Sequence, residues 1–264
     1  MIELTLEDAN GRPLPNWSPG AHIELCFGDI ERKYSLCGQP GEGPYKAAVL
    51  REDEGRGGSV HIHGAAKPGM EIRMRGPHNL FRLDEARSHY VLVAGGIGIT
   101  PILAMADRLK ALGKRYQLHY AGRSRETMAY LDRVTHDHGA CSEIHVSGEG
   151  TRMDLTSVVG ALADGGQIYC CGPGRMISAL EDLTSDLPEG TLRFEHFSSQ
   201  SSVLDPEKEQ AFEVELKDSG LTIEVAADQT LLDAIRATGV DVASDCCEGL
   251  CGSCEVQVHD GEVD

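Results

Sequence analysis

The sequence predicts a multidomain protein, in which an antiparallel β-barrel is followed by an α/β domain with a parallel sheet and then by a partial α+β domain. Three observations support this prediction. Short apolar runs separated by Gly and Pro fill residues 1–75, apolar strands alternate with helical patterns from 90 to 187, and a polar segment follows Phe197. The predicted domains are therefore 1–86, 87–197 and 211–264, with a linker at 198–210.

Barrel strands are predicted where apolar and polar residues alternate, because alternation places the apolar side chains on one face of a strand. The pattern occurs at 2–6, 22–26 and 70–74, and Gly and Pro turns separate the runs. Short strands joined in this way favour a small antiparallel barrel.

The second domain repeats a strand and a helix. Residues 90–94 form a continuous apolar run, a Gly turn follows, and 101–112 has apolar residues at helical spacing. Alternation of this kind is typical of a parallel sheet. Further strands are predicted near 117–120, 143–146 and 167–171, and further helices near 125–136, 155–162 and 175–187.

A third domain begins after a polar segment. Residues 198–210 have the composition of an interdomain linker, because Ser and Gln dominate their first half. Strands at 211–216 and 221–225 and a helix at 231–238 then lead into a loop rich in cysteine.

The acidic residues are concentrated near the end of the chain, which has a net charge of -18. Residues 205–264 contain 16 Asp and Glu against 3 Lys and Arg, and so hold 13 of the 18 excess negative charges. This charge disfavours nucleic acid and anionic membrane surfaces as partners. The acidic segment either keeps the protein soluble or forms a docking face for a basic protein partner.

Neither end of the sequence shows a targeting or membrane signal. No apolar run approaches the roughly 18 residues of a membrane span, and the first residues lack the basic and apolar regions of a signal peptide. We therefore expect a cytoplasmic protein. In that compartment the nine cysteines indicate metal or redox chemistry rather than a disulfide framework.

Three cysteines have the spacing of a plant-type [2Fe-2S] site. Cys246, Cys251 and Cys254 form the pattern C-x4-C-x2-C, and Gly and Ser between them leave backbone N–H groups free to bond the sulfides. A zinc knuckle is the alternative, but it needs a second Cys or His pair that the neighbouring sequence lacks. Cys247 is out of spacing and is interpreted as a small neighbour of the cluster.

The fourth cysteine of such a site follows further along a chain, whereas this sequence ends ten residues after Cys254. Because the stability of a metal site depends on its ligand set, we expect these 264 residues to hold the cluster poorly. Stoichiometric iron and sulfide in the purified chain would contradict this expectation.

Two Gly-containing turns in the α/β domain predict a nucleotide site. Gly95-Gly96-Ile97-Gly98-Ile99-Thr100-Pro101 joins a strand to a helix, where a pyrophosphate can approach backbone N–H groups. Cys171-Gly172-Pro173 ends another strand of the same sheet. Ligands bind at the carboxyl ends of parallel strands, so both turns should face one crevice. Cys171 has a second interpretation, as a buried small apolar residue.

Two further motifs lie in the barrel. Arg32-Lys33-Tyr34-Ser35 offers a cation, an aromatic face and a hydroxyl on one strand, and Gly55-Arg56-Gly57-Gly58-Ser59 offers a Gly-rich anion cradle. Taken separately, the first could be an ordinary edge strand and the second an ordinary loop.

Along the chain the two barrel motifs come first, then the two turns of the α/β domain and then the cysteine loop. In that order, the five motifs make the chain resemble the ferredoxin-NADP reductase superfamily, specifically its phthalate dioxygenase reductase and vanillate demethylase reductase branch. The resemblance covers almost the whole chain. It implies a flavin-binding barrel, a nucleotide domain, and a partial plant-type ferredoxin domain of the β-grasp class. The sequence departs from the family at both ends, because Met1 falls inside an early barrel strand and the last third of the ferredoxin domain is missing.

The resemblance also implies roles for individual residues. Ser35, near the flavin nitrogen that accepts hydride, and Cys171, at the nicotinamide, are the implied catalytic residues. The implied cofactor-binding residues are Arg32, Tyr34, Ser35, Gly57, Gly58 and Ser59 for the flavin, Gly96, Gly98, Thr100, Cys171 and Gly172 for the nicotinamide nucleotide, and Phe197 with Phe194 beside the flavin. Core packing is the alternative for these two rings. The implied metal ligands are Cys246, Cys251 and Cys254.

The implied function is that of the reductase component of a Rieske-type oxygenase. Electrons would pass from NADH through FMN, rather than FAD, to a [2Fe-2S] cluster and on to the oxygenase, since a flavin converts a two-electron donor to one-electron steps. Arg123 and Arg125 follow a strand of the sheet, where a cation could bind the 2′-phosphate of NADPH. The alternatives are a stand-alone flavin or ferric reductase and a noncatalytic module that carries the cluster.

Overall fold

The structure is a computed structural model, and it describes residues 1–28, 30–41, 43–55, 57–197, 210–242, 254 and 256–261. The chain divides into two compact units, Met1–Phe197 and Ser198–Asp264. Within the described residues, no helix is long and apolar enough to cross a membrane.

The first part of unit 1 consists of antiparallel strands around an apolar core, as predicted. β1 pairs with β4, β2 lies between β3 and β5, and a bridge between Leu36 and Ala47 connects the two sheets. Ile23, Leu25 and Val49 are fully buried between them. The elements are β1 Ile2–Leu6, β2 His22–Phe27, β3 Ile30–Ser35, β4 Tyr45–Val49, helix α1 Gly58–Ala65 and β5 Arg73–His78.

The second part of unit 1 is a five-stranded parallel sheet of order β10-β9-β6-β7-β8. Its central strand, β6, is buried at every residue, because a parallel sheet covered by helices leaves neither face of that strand in water. The elements are β6 His89–Gly95, α2 Ile99–Ala111, β7 Arg115–Gly122, α3 Leu131–His138, β8 Ser142–Val146, α4 Leu155–Gly160, β9 Gln167–Cys171, α5 Gly174–Thr184 and β10 Leu192–Glu195.

Two sequence predictions in unit 1 need correction, and one helix was not predicted. The helix predicted near 125–136 is instead a 3-10 turn at Arg125–Thr127 and α3, because Tyr130 has a φ of 55° and so breaks the helix before Leu131. The strand predicted at 70–74 starts at Arg73. The Gly-rich cradle at 55–59 leads directly into α1, a helix that the sequence did not predict because its apolar periodicity is weak.

Unit 2 contains a β-hairpin and a helix. β11 Phe212–Leu216 pairs in antiparallel fashion with β12 Leu221–Val225, and α6 Leu231–Ala237 follows. Val225 and Ile235 form its buried core with Ala234 and Ile223. Thr230 caps α6, since its hydroxyl accepts a hydrogen bond from the backbone N–H of Asp233 at 3.2 Å. These elements lie close to the predicted ones.

Candidate active site

The two Gly turns predicted to face one crevice are in direct backbone contact. A Cβ atom placed on Gly98 would lie 2.1 Å from the carbonyl oxygen of Cys171, and one placed on Gly95 would lie 3.2 Å from the Cα atom of Gly172. Only glycine allows the carboxyl ends of β6 and β9 to approach this closely. A nucleotide that enters between these strand ends therefore meets backbone rather than side chains.

The start of α2 completes this crevice. Gly96 has a φ of 58°, and a Cβ placed on it would meet nothing within 4 Å, so the space next to its Cα atom is open. Thr100 is buried, and its hydroxyl donates to the carbonyl of Ile97 at 3.0 Å. Thr100 thus fixes the shape of the turn, while the positive end of the α2 dipole can attract an anion.

Cys171 ends β9 and is fully buried. Its neighbours in register are Ala94 on β6 and Glu195 on β10. Burial raises the pKa of the Cys171 thiol well above its ordinary value, and the nearby Glu195 adds to the effect. Cys171 is therefore a neutral thiol that packs in the apolar core of the nucleotide domain, as its second interpretation expects, and it is unsuited to act as a nucleophile.

Ser35 and Glu195 connect the barrel to the nucleotide domain at this crevice. The Ser35 hydroxyl, at the end of β3, donates to Oε2 of Glu195, at the end of β10, over 3.2 Å. Burial raises the pKa of the Glu195 carboxyl to about 7, although the Ser35 hydrogen bond and the charge of Lys33 act to lower it. A half-buried carboxyl with this pKa can gain or release a proton near neutral pH.

The sequence reasoning missed Glu195. It selected Phe194 and Phe197 in the same segment, whereas the carboxyl between them makes the contact with Ser35. The available signal was the position of Glu195 at the carboxyl end of the strand beside Cys171, where ligands bind in parallel sheets.

The raised pKa of Glu195 predicts a specific pH dependence of stability. The folded state binds the Glu195 proton more tightly than the unfolded state, so stability relative to Glu195→Gln should fall as pH rises from about 5 to about 7 and then level off. Melting temperatures of both proteins across this range measure the effect.

The matched control for this measurement is Glu189→Gln, because Glu189 is exposed and close in sequence. Ser35→Ala should move the midpoint of the transition to higher pH, since it removes the hydrogen bond that lowers the pKa of Glu195. A parent and a Glu195→Gln protein with parallel pH curves would refute the assignment.

A second group of contacts holds the barrel against the nucleotide domain. The Tyr130 hydroxyl lies 2.8 Å from Oε2 of Glu3 and 3.1 Å from Sγ of Cys37, and Arg133 donates to the carbonyl of Cys37 at 3.0 Å. These bonds fix the relative position of β3, which carries Ser35, and the sheet that ends at Cys171 and Glu195.

The barrel also contains the predicted anion cradle. A Cβ placed on Gly58, the first residue of α1, would lie 2.6 Å from Nε of Arg32, so the guanidinium covers the start of the helix. Gly57 precedes it with a φ of 78°. An arginine at a helix N-terminus is a favourable phosphate site. The Ser59 hydroxyl accepts a bond from the backbone N–H of Glu52 at 3.0 Å and so fixes the loop.

Tyr34 lies on the same strand as Arg32 and is half-buried. Burial raises the pKa of Tyr34 to about 12, so its hydroxyl is neutral. Phe194 and Phe197 are 36% and 41% exposed, so neither ring is a buried core residue. The residues of the flavin motif thus present one cation, one neutral aromatic ring and one hydroxyl on a single strand.

The predicted metal ligands fall mainly beyond the described residues. Cys246 and Cys251 lie outside them, whereas Cys254 is a half-buried free thiol in a turn. The donor chemistry of the three cysteines fits iron. Residues 214–264 match the family described as the 2Fe-2S iron-sulfur cluster binding domain.

Comparison with known proteins decides the family. The chain is 42% identical over 254 residues to the phenoxybenzoate dioxygenase subunit beta of Ectopseudomonas oleovorans, covering 95% of this chain and 78% of that protein. It superimposes on phthalate dioxygenase reductase with a TM-score of 0.76 and 35% identity, over 96% of this chain and 80% of that one. The chain belongs to the phthalate dioxygenase reductase family.

A structure of a type IV self-sufficient cytochrome P450 monooxygenase is also similar. It shares 53% identity and a TM-score of 0.85 over 98% of this chain, and this chain spans 34% of its length. As a phthalate dioxygenase reductase relative, the chain is an oxidoreductase that passes electrons to an oxygenase, with a flavin, a nicotinamide nucleotide and a [2Fe-2S] cluster as its cofactors. The resemblance, fold class and general function predicted from the sequence are therefore confirmed.

Proposed function

We propose that the chain takes electrons from NADH, transfers them through FMN to a [2Fe-2S] cluster on Cys246, Cys251 and Cys254, and delivers them to a Rieske-type oxygenase in the cytoplasm. The contact between Ser35 and Glu195 carries this proposal, because it holds β3, the strand with the predicted flavin residues, at the carboxyl ends of β9 and β10. A flavin, when bound, supplies a centre that takes two electrons and releases them singly.

The barrel residues of this proposal bind and orient the flavin. Arg32 and the backbone N–H groups at the start of α1 bind its phosphate, with Gly57, Gly58 and Ser59 shaping the cradle. Tyr34 stacks on the ring. Phe197 covers an exposed edge of the same site. Within the described residues of the barrel this is one phosphate cradle, which suits the single phosphate of FMN.

The nucleotide-domain residues orient the nicotinamide. Gly96, Gly98 and Thr100 shape a turn that a pyrophosphate approaches, and Cys171 and Gly172 form the floor beneath the nicotinamide ring. Ser35 donates its single hydroxyl hydrogen to Glu195 while that carboxyl is ionised. A protonated Glu195 can donate to Ser35 instead, which frees the Ser35 hydrogen for the flavin atom that would accept hydride, and the pKa of Glu195, about 7, allows this exchange near neutral pH.

The state of Arg125 supports NADH over NADPH. Its guanidinium forms two hydrogen bonds to Glu149, with Nε–Oε1 at 2.8 Å and a second nitrogen to Oε2 at 3.0 Å. A cation already paired in this way offers less attraction to a 2′-phosphate than a free one.

A second class of acceptor is favoured by the similarity to the P450 monooxygenase, which is higher than that to phthalate dioxygenase reductase. In this case the cluster would deliver electrons to the haem of a P450 domain. Both acceptors receive one electron at a time, so the flow through this chain is the same.

Anaerobic titration tests the proposal. The purified full-length protein should lose its flavin absorbance on addition of NADH, and released flavin should run as FMN. Faster oxidation of NADH with a Rieske oxygenase than with a P450 supports the first acceptor, and the reverse order supports the second. Equal activity without any oxygenase indicates a stand-alone reductase, and no bleaching by NADH indicates a noncatalytic module; either result overturns the proposal.

A further inference from the structure

Three metal-ligating side chains lie together on two neighbouring strands, outside the active site. His119 on β7 is paired in register with Glu143 on β8, and His145 follows two residues later on β8. Side chains two apart on a strand point to the same face, so all three project from one side of the sheet. Their closest ligand atoms all lie within 4.8 Å of one another.

The separations suit a shared ion. Nδ1 of His119 lies 3.6 Å from Oε2 of Glu143, and Nε2 of His145 lies 3.9 Å from the same oxygen. Bonds of about 2.0–2.2 Å to Zn²⁺ place two ligand atoms at most about 4 Å apart. Glu143 has a side chain that is 71% exposed, so it can move the short distance needed to close the site.

The two histidines lack the hydrogen bonds that buried imidazoles normally have. His119 is only 6% exposed, and within the described residues neither of its ring nitrogens has a hydrogen-bond partner. Nε2 of His145 is also buried without one. Buried polar groups are nearly always satisfied, and a bound ion is one of the accepted explanations for an exception.

Simple stacking is the alternative interpretation of the pair. The rings of His119 and His145 are stacked, with centroids 5.9 Å apart and an interplanar angle of 20°. Stacking accounts for the ring planes, but it satisfies none of the three buried nitrogen atoms, whereas one ion would bind one nitrogen of each ring. Stacking also leaves the neighbouring carboxylate unexplained. Burial lowers the pKa of both imidazoles, so each keeps a lone pair for a metal at neutral pH.

We propose that His119, Glu143 and His145 bind one Zn²⁺ ion, with water completing a tetrahedral shell. Two imidazoles and one carboxylate form a known ligand set for this ion. The site is separate from the iron-sulfur cysteines, which belong to unit 2, and from the crevice at the carboxyl ends of β6 and β9. It connects edge strand β8 to β7, and so zinc stabilises the outer edge of the nucleotide domain.

Zinc affinity measured by competition with a chromophoric chelator tests this site in the full chain. Cysteine thiols elsewhere also bind zinc, so the decisive quantity is the difference between proteins that share every cysteine. Glu143→Gln and His145→Gln should each lower the affinity for one equivalent of Zn²⁺ by at least about 10- to 100-fold. The matched control is His136→Gln, because the His136 side chain is 89% exposed and, among the residues that the structure describes, belongs to no such cluster.

Two further measurements distinguish a specific site from an effect on folding. Zinc should raise the melting temperature of the parent and of His136→Gln, and not that of Glu143→Gln, since an ion that binds only the folded state stabilises it. The Co²⁺ spectrum of the parent minus that of Glu143→Gln should contain d–d bands and no thiolate charge-transfer band. Glu143 is exposed, so Glu143→Gln folds even if His145→Gln does not.

The proposal is overturned if Glu143→Gln binds one equivalent of zinc as tightly as the parent. It is also overturned if the difference spectrum shows thiolate charge transfer, or if the parent binds no zinc beyond what Glu143→Gln binds.

Discussion

Replacing Gly98 by alanine is expected to lower reduction of the protein by NADH by at least about 100-fold. The added methyl group would lie 2.1 Å from the carbonyl oxygen of Cys171 and 2.9 Å from the backbone nitrogen of Gly172. Backbone atoms cannot rotate away, so the turn and the end of β9 must separate. Misplacement of reacting groups by about 1 Å costs on the order of 100-fold in rate. Stopped-flow bleaching of the flavin by NADH measures this rate of reduction.

A glycine outside the crevice provides the control for Gly98→Ala. Gly160→Ala lies in α4 with nothing within 4 Å, and it should stabilise the helix slightly. Flavin content should stay at the parent level in both proteins. A Gly98→Ala protein reduced as fast as the parent would show that this backbone contact is not needed.

The parallel sheet could be predicted from the sequence because its strands are buried on both faces. β6 and β9 are buried at every residue, and burial of that kind favours a mostly apolar run, which is visible without a structure. The two Gly turns were predicted for a similar reason, since the close backbone approach that they allow requires glycine.

Contacts between distant segments could not be predicted in this way. Ser35 and Glu195 are 160 residues apart, and nothing near either residue indicates the other. Tyr130 breaks a helical pattern in order to reach Glu3 and Cys37 on the barrel, so a tertiary contact overrides the local preference. The histidines of the zinc proposal occur on separate strands, and their proximity depends on the register between β7 and β8.

The cysteine loop, unlike these distant contacts, could be predicted from the sequence. Its ligand spacing is a purely local pattern, and the match of residues 214–264 to an iron-sulfur domain agrees with it. Of the three predicted ligands, the described residues include Cys254 alone. The flavin cradle could be predicted only in part. Its Gly-rich segment is recognisable in the sequence, whereas α1, the helix whose N-terminus gives the cradle its positive end, is not.

Replacing Arg32 by alanine is expected to weaken FMN binding by about 10- to 100-fold. The guanidinium covers the start of α1, with its Nε atom 2.6 Å from the Cβ position of Gly58, and it is fixed by a hydrogen bond of 2.8 Å to the carbonyl of Glu31. A hydrogen bond to a charged group contributes about 1.5–3 kcal/mol, which corresponds to this loss of affinity. Fluorescence titration of the flavin-free protein with FMN measures the dissociation constant.

Riboflavin separates a phosphate contact from a general effect on the barrel, since it has the same ring and no phosphate. Arg32→Ala should leave riboflavin affinity unchanged, and Arg32→Lys should recover part of the FMN affinity because lysine keeps the charge without the planar fork. Arg73→Ala is the matched control, because Arg73 is an exposed arginine of the same barrel on β5. Equal losses for FMN and riboflavin would mean that Arg32 supports the fold of β3 and α1, and the phosphate would then have to bind elsewhere in the barrel.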